Sequence, residues 1–369
     1  MTMHPRDGNR ILLVCRGLDP VGTGRQVELV AHGLRAAGCD VRFVQTTTGG
    51  SLAGRLAAAG FPVQLVGSRP VVDAAVAARL VGLAARLRPD VVLASGRSQL
   101  APAAAVRLSR PRTRVIGSVA LPPRGWTDVW AARTLDRLVV PAPAIAAAWA
   151  RRGLPPAALA EIPPGIEAET GPFLTRAEIA RRLGLDPGTI WTLCVAPLEA
   201  AARLERLLWA IDQLGVVHKR LEHLLVGAGP LRARVRRRAV VQELAERLHV
   251  LPHCDLLPDL LGEVRFVWQP GRVAFGGGLL DAMARGLPVV AVEDVASRQF
   301  VSDGETGRVV PADPESEFPR RAFNLLEDDA LAARYGAAAR ARAAADFPAA
   351  ALVSACLTLF ARVGFGERR

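Results

Sequence analysis

Residues 11–45 read ILLVCRGLDPVGTGRQVELVAHGLRAAGCDVRFVQ, and their pattern decides the fold class. The run 11–15 is apolar without alternation, as expected of a strand covered on both faces in a parallel sheet. A loop carrying Gly17, Gly22 and Gly24 follows. Val27, Leu29, Val30 and Leu34 then recur at helical spacing over 27–37, and Gly38 stands where a left-handed residue commonly ends a helix. Residues 41–45 are rich in apolar residues again. The unit is strand, glycine loop, helix, strand.

The same order recurs outward from this stretch. Helices are expected at 51–59, 73–87 and 144–152, with strands at 63–66, 91–94, 115–119 and 137–140. Ile162-Pro-Pro-Gly-Ile166, with polar residues to 172, interrupts the pattern and reads as a linker. The pattern restarts with a strand at 191–195, a helix at 203–214 and a strand at 221–226. The loop Gly227-Ala-Gly-Pro230, a helix at 231–248, and strands near 250, at 266–267 and at 288–292 come next. Ala-rich helices are expected at 313–327, 329–344 and 348–363. Such alternation predicts two α/β domains, each a parallel sheet covered by helices. Ligands of such domains bind at the carboxyl ends of the strands, so a cleft between the two halves is expected to hold the site.

A chain of 369 residues can bury two cores, and half of it is apolar with 22% charged residues, which excludes wholesale disorder. Lys and Arg number 47 against 35 Asp and Glu, a formal charge of +12 that points to anionic partners. Lys219 is the only lysine, so the excess is arginine in a chain rich in Ala, Gly and Pro, as a GC-rich coding sequence produces. With Tyr335 the only tyrosine and no aromatic residues among the basic ones, nucleic acid is not an expected partner. The densest basic run, Arg232-Ala-Arg-Val-Arg-Arg-Arg238, has two readings: contact with an anionic membrane or a polyphosphate, or a solvated helix face balancing Glu243 and Glu246. The five cysteines are scattered without metal-ligand spacing and read as buried thiols in a reducing compartment. The polar start, and the lack of any apolar run of about 18 residues, predict a cytoplasmic protein whose membrane contact, if any, is peripheral at the inner face.

Phe275-Gly-Gly-Gly278 precedes a helix expected from Leu279, with Asp281 in its first turn. Glycines let a backbone approach a ligand closely, and first-turn amides suit a phosphate. Asp281 would then accept hydrogen bonds from sugar hydroxyls. The alternative is a packing turn with an ordinary first-turn acid.

The stretch 275–291 (FGGGLLDAMARGLPVVA), followed by 301–311 (VSDGETGRVVP), resembles the donor-sugar region of family-4 glycosyltransferases of the GT-B fold. Further matches lie in register: LLVGAGPL at 224–231 with Gly227 and Gly229, Pro258-Asp-Leu-Leu261, Ile162-Pro-Pro-Gly-Ile166, Gly22-Thr-Gly-Arg25 and Arg88-Pro-Asp-Val-Val92. The resemblance covers nearly the whole chain. It implies two Rossmann-like domains with parallel sheets facing across a cleft: an acceptor-side domain at 1–165, a nucleotide-sugar domain at 166–345, and a last helix at 346–369 crossing back to the first. It also implies metal-independent sugar transfer with retention, a nucleotide-diphospho-sugar as co-substrate and no resident cofactor. Gly227, Gly229, Phe275, Gly276, Gly277, Gly278, Leu279 and Asp281 would hold the nucleotide sugar, and Gly22, Thr23 and Gly24 would line the acceptor side. The acceptor is left open among glycan, lipid and small molecule.

The chain departs from the family pattern where charge is needed. The family's first glutamate falls on Val273 and its neighbouring glycine on Ala274, while its second glutamate is Asp281. The Arg and Lys that face the diphosphate fall on Pro197 and Ala202 of Val195-Ala-Pro-Leu-Glu-Ala-Ala-Ala-Arg203, and the acceptor-side histidine falls on Ala120. Pro164 and Gln299 replace a usual Asn and Glu. Each donor to a leaving phosphate is worth about 3–4 kcal/mol by analogy with oxyanion-hole deletions. Arg203, Arg206 and Arg272 are the candidates to restore that charge. Two readings follow: a transferase, or a non-catalytic relative that binds a nucleotide sugar, glycan or protein partner without transfer.

Overall fold

The computed structural model of the chain describes residues 9–48, 50–67, 74–167, 171–272, 274–276 and 278–363. It divides into two compact units, Met1–Gly165 with Ala349–Arg369, and Ile166–Pro348.

The first unit alternates strands and helices: β1 (Arg10–Cys15), α1 (Thr23–Ala36), β2 (Asp40–Gln45), α2 (Leu52–Ala58), β3 (Val63–Leu65), α3 (Ala74–Leu87) and β4 (Val91–Ser95). Then come α4 (Leu100–Ser109), β5 (Arg114–Ser118), α5 (Trp126–Thr134), β6 (Arg137–Val140), α6 (Pro143–Arg151) and β7 (Leu159–Glu161). All strands are parallel, in the order β3-β2-β1-β4-β5-β6-β7, so the direction of strand addition reverses between β1 and β4. Residues 11–15 are fully buried in the middle of this sheet, as their unbroken apolar character predicts. Val27, Val30 and Leu34 of α1 pack into the same core as Ile11, Leu13 and Phe43.

The second unit comprises α7 (Arg176–Leu183), β8 (Ile190–Val195), α8 (Leu204–Val217), β9 (Leu221–Val226), α9 (Arg232–Val241), β10 (Leu248–Leu251) and α10 (Leu257–Leu260). It continues with β11 (Val267–Gln269), α11 (Leu279–Ala284), β12 (Val289–Val292), α12 (Val295–Phe300), β13 (Gly307–Val310), α13 (Glu317–Glu327) and α14 (Asp329–Asp346). Its parallel strands run β10-β9-β8-β11-β12-β13, reversing between β8 and β11. A buried polar chain crosses the three middle strands. The Trp268 Nε1 donates to Thr192 Oγ1 at 2.9 Å, and Thr192 Oγ1 lies 2.6 Å from His223 Nδ1.

The last helix, α15 (Ala349–Arg362), belongs to the first unit and lies along α1. At Gly33 the two helices approach so closely that a Cβ there would sit 2.2 Å from Val353 Cγ1. Leu352, Cys356, Leu359, Phe360 and Val363 are buried in the first unit's core. Both α/β halves are as the alternation predicts.

One expected helix is corrected. The helix expected over 231–248 ends at Val241, and Leu248 begins a strand. Glu243 takes a left-handed φ of 57°, and Leu244 N donates to Ala239 O, a closure that normally places glycine where Glu243 stands. Val235, Ala239, Leu244 and Leu248 stay buried through the turn, so their spacing imitates a longer helix. Arg234, Arg236, Arg237 and Arg238 are all exposed on α9. The helix expected from residue 73 begins outside the described residues.

All five cysteines are buried free thiols. Burial pushes Cys15, Cys194 and Cys356 up to about 12, and Cys39 and Cys254 up to about 11.

Candidate functional site

In open parallel sheets, ligands bind beyond the carboxyl ends of the strands where the strand order reverses. In the second unit that point lies between β8 and β11, and the chain leaves these strands through residues 196–203 and 270–278. The loop after β9 joins them. Ala196 N donates to Val226 O, Leu198 N to Ala228 O, Leu231 N to Leu198 O, and Arg272 N to Ala201 O, at 2.8–3.0 Å. Three loops are thereby tied backbone to backbone.

Glycine is required at Gly227 and Gly229, where backbones come too close for a side chain, and Gly278 packs tightly on a neighbouring side chain. A Cβ on Gly227 would lie 1.9 Å from Ala196 O. At Gly278 it would lie 3.0 Å from the Val195 side chain, so the turn before α11 rests directly on the end of β8. Gly229 meets Leu198 O in the same way. Phe275 is buried and held at φ 51° and ψ 28°, a conformation that costs a non-glycine residue about 1–3 kcal/mol and is tolerated where surroundings enforce it. Gly276 follows it in the same short turn. Gly277 and Val273 lie outside the described residues.

Gly278 is the N-cap of α11, with no side chain capping it, and Leu279, Leu280 and Asp281 form the first turn. The first amides of a helix have no partner within it and point outward. With six residues, α11 has only a short dipole, so a phosphate here would depend on the local amides rather than on a long helix. Asp281 is half-buried in that turn.

The three candidate arginines divide by position. Arg206 is committed to the scaffold: it donates to Pro270 O at 3.2 Å and Ala312 O at 3.4 Å and pairs with Glu315. Arg203 is left-handed at the start of α8, with an exposed side chain turned toward Glu205 of its own helix at 3.7 Å. Arg272 stands on the loop leaving β11, its backbone fixed to Ala201 and its side chain exposed. Its charge reaches Asp294, the N-cap of α12. Burial raises the Asp294 carboxyl, while the Ser297 hydrogen bonds and Arg272 draw it back down. Of the three, Arg272 stands on the same loop as the glycine turn. His253 is solvent-exposed on the loop after β10.

In the first unit the order reverses between β1 and β4, and Gly22, Thr23 and Gly24 lie where the loop from β1 enters α1. Gly22 is left-handed at φ 55°, and a Cβ on Gly24 would meet Asp19 O at 1.9 Å. Beside them lies an ionic group that the residue spacing did not disclose. The buried Glu28 carboxylate accepts from Arg25 Nη1 at 3.1 Å and from Arg55 Nε and Nη2 at 3.0 and 2.7 Å. Arg25 and Glu28 sit three apart on α1, a readable signal, but Arg55 comes from α2. Gln26 of the same turn holds Gly165 through both its amide atoms at 2.8 Å, fixing the end of the unit's first segment.

Two parallel-sheet, Rossmann-like units with glycine loops at their switch points define the GT-B glycosyltransferase architecture, and solved structures of that class match the chain along almost its full length. HepE of Anabaena, solved in complex with UDP and glucose, is 18% identical with a TM-score of 0.80, covering 96% of this chain and 99% of that one. A sucrose-phosphate synthase from Thermosynechococcus elongatus is 19% identical with a TM-score of 0.78, over 97% and 100% of the two chains. The family described as Glycosyltransferase Family 4 matches residues 20–170, and that described as Glycosyl transferases group 1 matches residues 190–328. Together they take in more than three quarters of the chain, which belongs to the group 1 glycosyltransferases. A phosphatidyl-myo-inositol mannosyltransferase of Mycolicibacterium smegmatis is 42% identical over 72 residues, 20% of this chain and 19% of the relative. A D-inositol 3-phosphate glycosyltransferase of Streptomyces bingchenggensis is 29% identical over 200 residues, 51% of this chain and 44% of the relative. The chain thus spans less than half the length of each of these two curated relatives.

Proposed function

We propose that the second unit binds a nucleotide-diphospho-sugar beyond β8 and β11, and that the protein transfers the sugar to an acceptor bound through the first unit. The observation that carries this is Gly278, the N-cap of α11 with no capping side chain, resting on the end of β8, so that backbone amides rather than side chains stand at that helix start. In this reading the amides of Leu279 and its neighbours hydrogen-bond the diphosphate, Arg272 supplies the countercharge, and Asp281 accepts from a hydroxyl of the ribose or sugar. That HepE was solved with UDP, and with UDP-glucose, supports the ligand class. Transfer is expected to proceed with retention and without a metal ion. Gly22, Thr23 and Gly24 are assigned to the acceptor, which is a glycan, lipid or small molecule.

Titration calorimetry with UDP, GDP and ADP tests the donor site. One of them is expected to bind weakly, and Asp281→Ala and Arg272→Ala are each expected to weaken it about tenfold, the scale of a lost charge-assisted hydrogen bond. No heat with any of the three would remove the donor-site assignment.

A second reading, binding without transfer, is favoured by the commitment of Arg206 to backbone carbonyls and by the turn of Arg203 toward Glu205. Only Arg272 then remains of the three to stabilise a leaving diphosphate. Donor hydrolysis or transfer is accordingly expected well below about 1 per second, the low end of ordinary turnover. A rate within the ordinary enzyme range would show that the lost charges are fully replaced and exclude the second reading.

A further inference from the structure

Of the six tryptophans, only Trp126 and Trp130 are exposed, at 76% and 51%. Both lie on α5 four positions apart, on one face of the helix, and Arg133 continues that face three positions on. The rest of the helix is conventional, with Val129, Ala131 and Ala132 buried in the first unit. An indole left in water forfeits a large burial energy, so two of them side by side mark a surface made to be covered.

The surroundings say by what. Arg124 precedes the helix, and the Arg133 guanidinium donates to Gly153 O, which places it beside Arg151 and Arg152 at the end of α6. None of these four guanidinium groups makes a carboxylate pair among the described residues. The one acid on α5, Asp128, has its carboxylate occupied by Arg124 N at 2.8 Å. The face is therefore apolar and amphipathic at its centre and cationic at its rim. A second copy of the same face would bring like charges together, which disfavours self-association. Indoles favour the boundary between headgroup and acyl chain, and arginines favour anionic headgroups.

We infer that the Trp126–Trp130 face of α5 docks the protein on an anionic phospholipid surface. The exposed α9 arginines are a second basic surface, but they carry no aromatic anchor. Because α5 follows β5, Trp126 stands at the carboxyl edge of the first unit's sheet, the same edge as the Gly22 loop. Docking there places that edge toward the lipid. The inference rests on exposure and charge in the first unit alone and needs no nucleotide or sugar.

The full chain is to be sedimented with phosphatidylcholine vesicles, with and without phosphatidylglycerol. Binding is expected only when the anionic lipid is present, and it should fall as salt rises. W126A/W130A should weaken it at least about tenfold, and Arg124→Glu at least about fivefold, each with an unchanged melting temperature because all three side chains face solvent. Vesicles carrying brominated acyl chains should quench the wild-type tryptophan emission and leave that of W126A/W130A nearly untouched. Equal binding to neutral vesicles, no binding to either, or a W126A/W130A chain that binds as the wild type does would overturn the inference. So would self-association, or capture by an acidic protein, that depends on these tryptophans in the absence of vesicle binding. Calorimetric binding of a nucleotide is unaffected by any of these outcomes, so failure here and failure of the donor site are told apart.

Discussion

Phe360→Ala is expected to lower the stability of the first unit by about 3–5 kcal/mol, the usual cost of removing a fully buried phenyl ring from a core that cannot collapse around the gap. Phe360 is 1% exposed and lies near the end of the chain, where truncation is ordinarily harmless. Here it is not. Leu352, Cys356, Leu359 and Phe360 on α15 share a core with Ile11, Leu13 and Phe43, so the last helix completes a domain begun by the first strand. For a unit of this size the loss corresponds to a fall in melting temperature of roughly 6–20 °C. Thr358→Ala is the control: Thr358 is exposed, and its hydroxyl bonds only Ser354 O of its own helix. Thermal or urea unfolding distinguishes the two. A shift for Phe360→Ala no larger than that for Thr358→Ala would mean that α15 does not seal this core.

Acid is expected to weaken the second unit through His223, over and above the general effect of protonating carboxylates. Burial, with smaller contributions from Arg247 and His249, lowers His223 from 6.5 to about 3, so the ring stays neutral in the folded protein while it titrates normally once unfolded. Between these values the unfolded chain binds more protons, and stability therefore falls as pH drops through the window from about 6.5 to about 3. The slope approaches ~1.4 kcal/mol per pH unit, and about 2–3 kcal/mol is lost between pH 6 and pH 4. Geometry gives the reason. Trp268 donates to Thr192, which leaves the Thr192 proton for His223 Nδ1 and the imidazole proton on Nε2. A charged ring would turn the Thr192 hydroxyl into a double acceptor and place a cation in the middle of the sheet, where burial opposes it. Urea midpoints of the wild type and His223→Gln, compared at pH 7, 5 and 4, should converge as the pH falls. If the variant does not fold, nitrogen NMR of the wild type at pH 5 should still show the neutral Nε2–H tautomer. A ring protonated in the folded state at pH 5 would contradict the assignment.

The legible parts of the fold were those set by near neighbours. Residues 11–45 disclosed strand, loop, helix and strand because a strand covered on both faces must be apolar throughout. Gly227 and Gly229 are legible because a backbone carbonyl stands where a Cβ would be. Local signals also bound α7: Thr175 and Glu178 form a reciprocal capping box that opens it, and Gly184 closes it at φ 70°. Other features had no local signal. Glu243 occupies a left-handed position where glycine is usual, so nothing in the chain marks the end of α9. Arg206 looked available for a phosphate, and only its carbonyl partners, 64 and 106 positions away, show that it is not. The joining of Thr192, His223 and Trp268 likewise depends on strand order, which no spacing reveals.

The buried thiols have a use of their own as reporters. A cysteine that is both enclosed and held far from its thiolate form does not meet an alkylating reagent until the surrounding structure opens. Cys15, Cys39 and Cys356 lie in one unit, Cys194 and Cys254 in the other. Mass-resolved labelling of the unaltered chain would therefore time the opening of each unit separately, with no probe introduced. The same protection lets a single cysteine placed on the surface, at Trp126 for instance, be labelled selectively while the five native thiols remain dark.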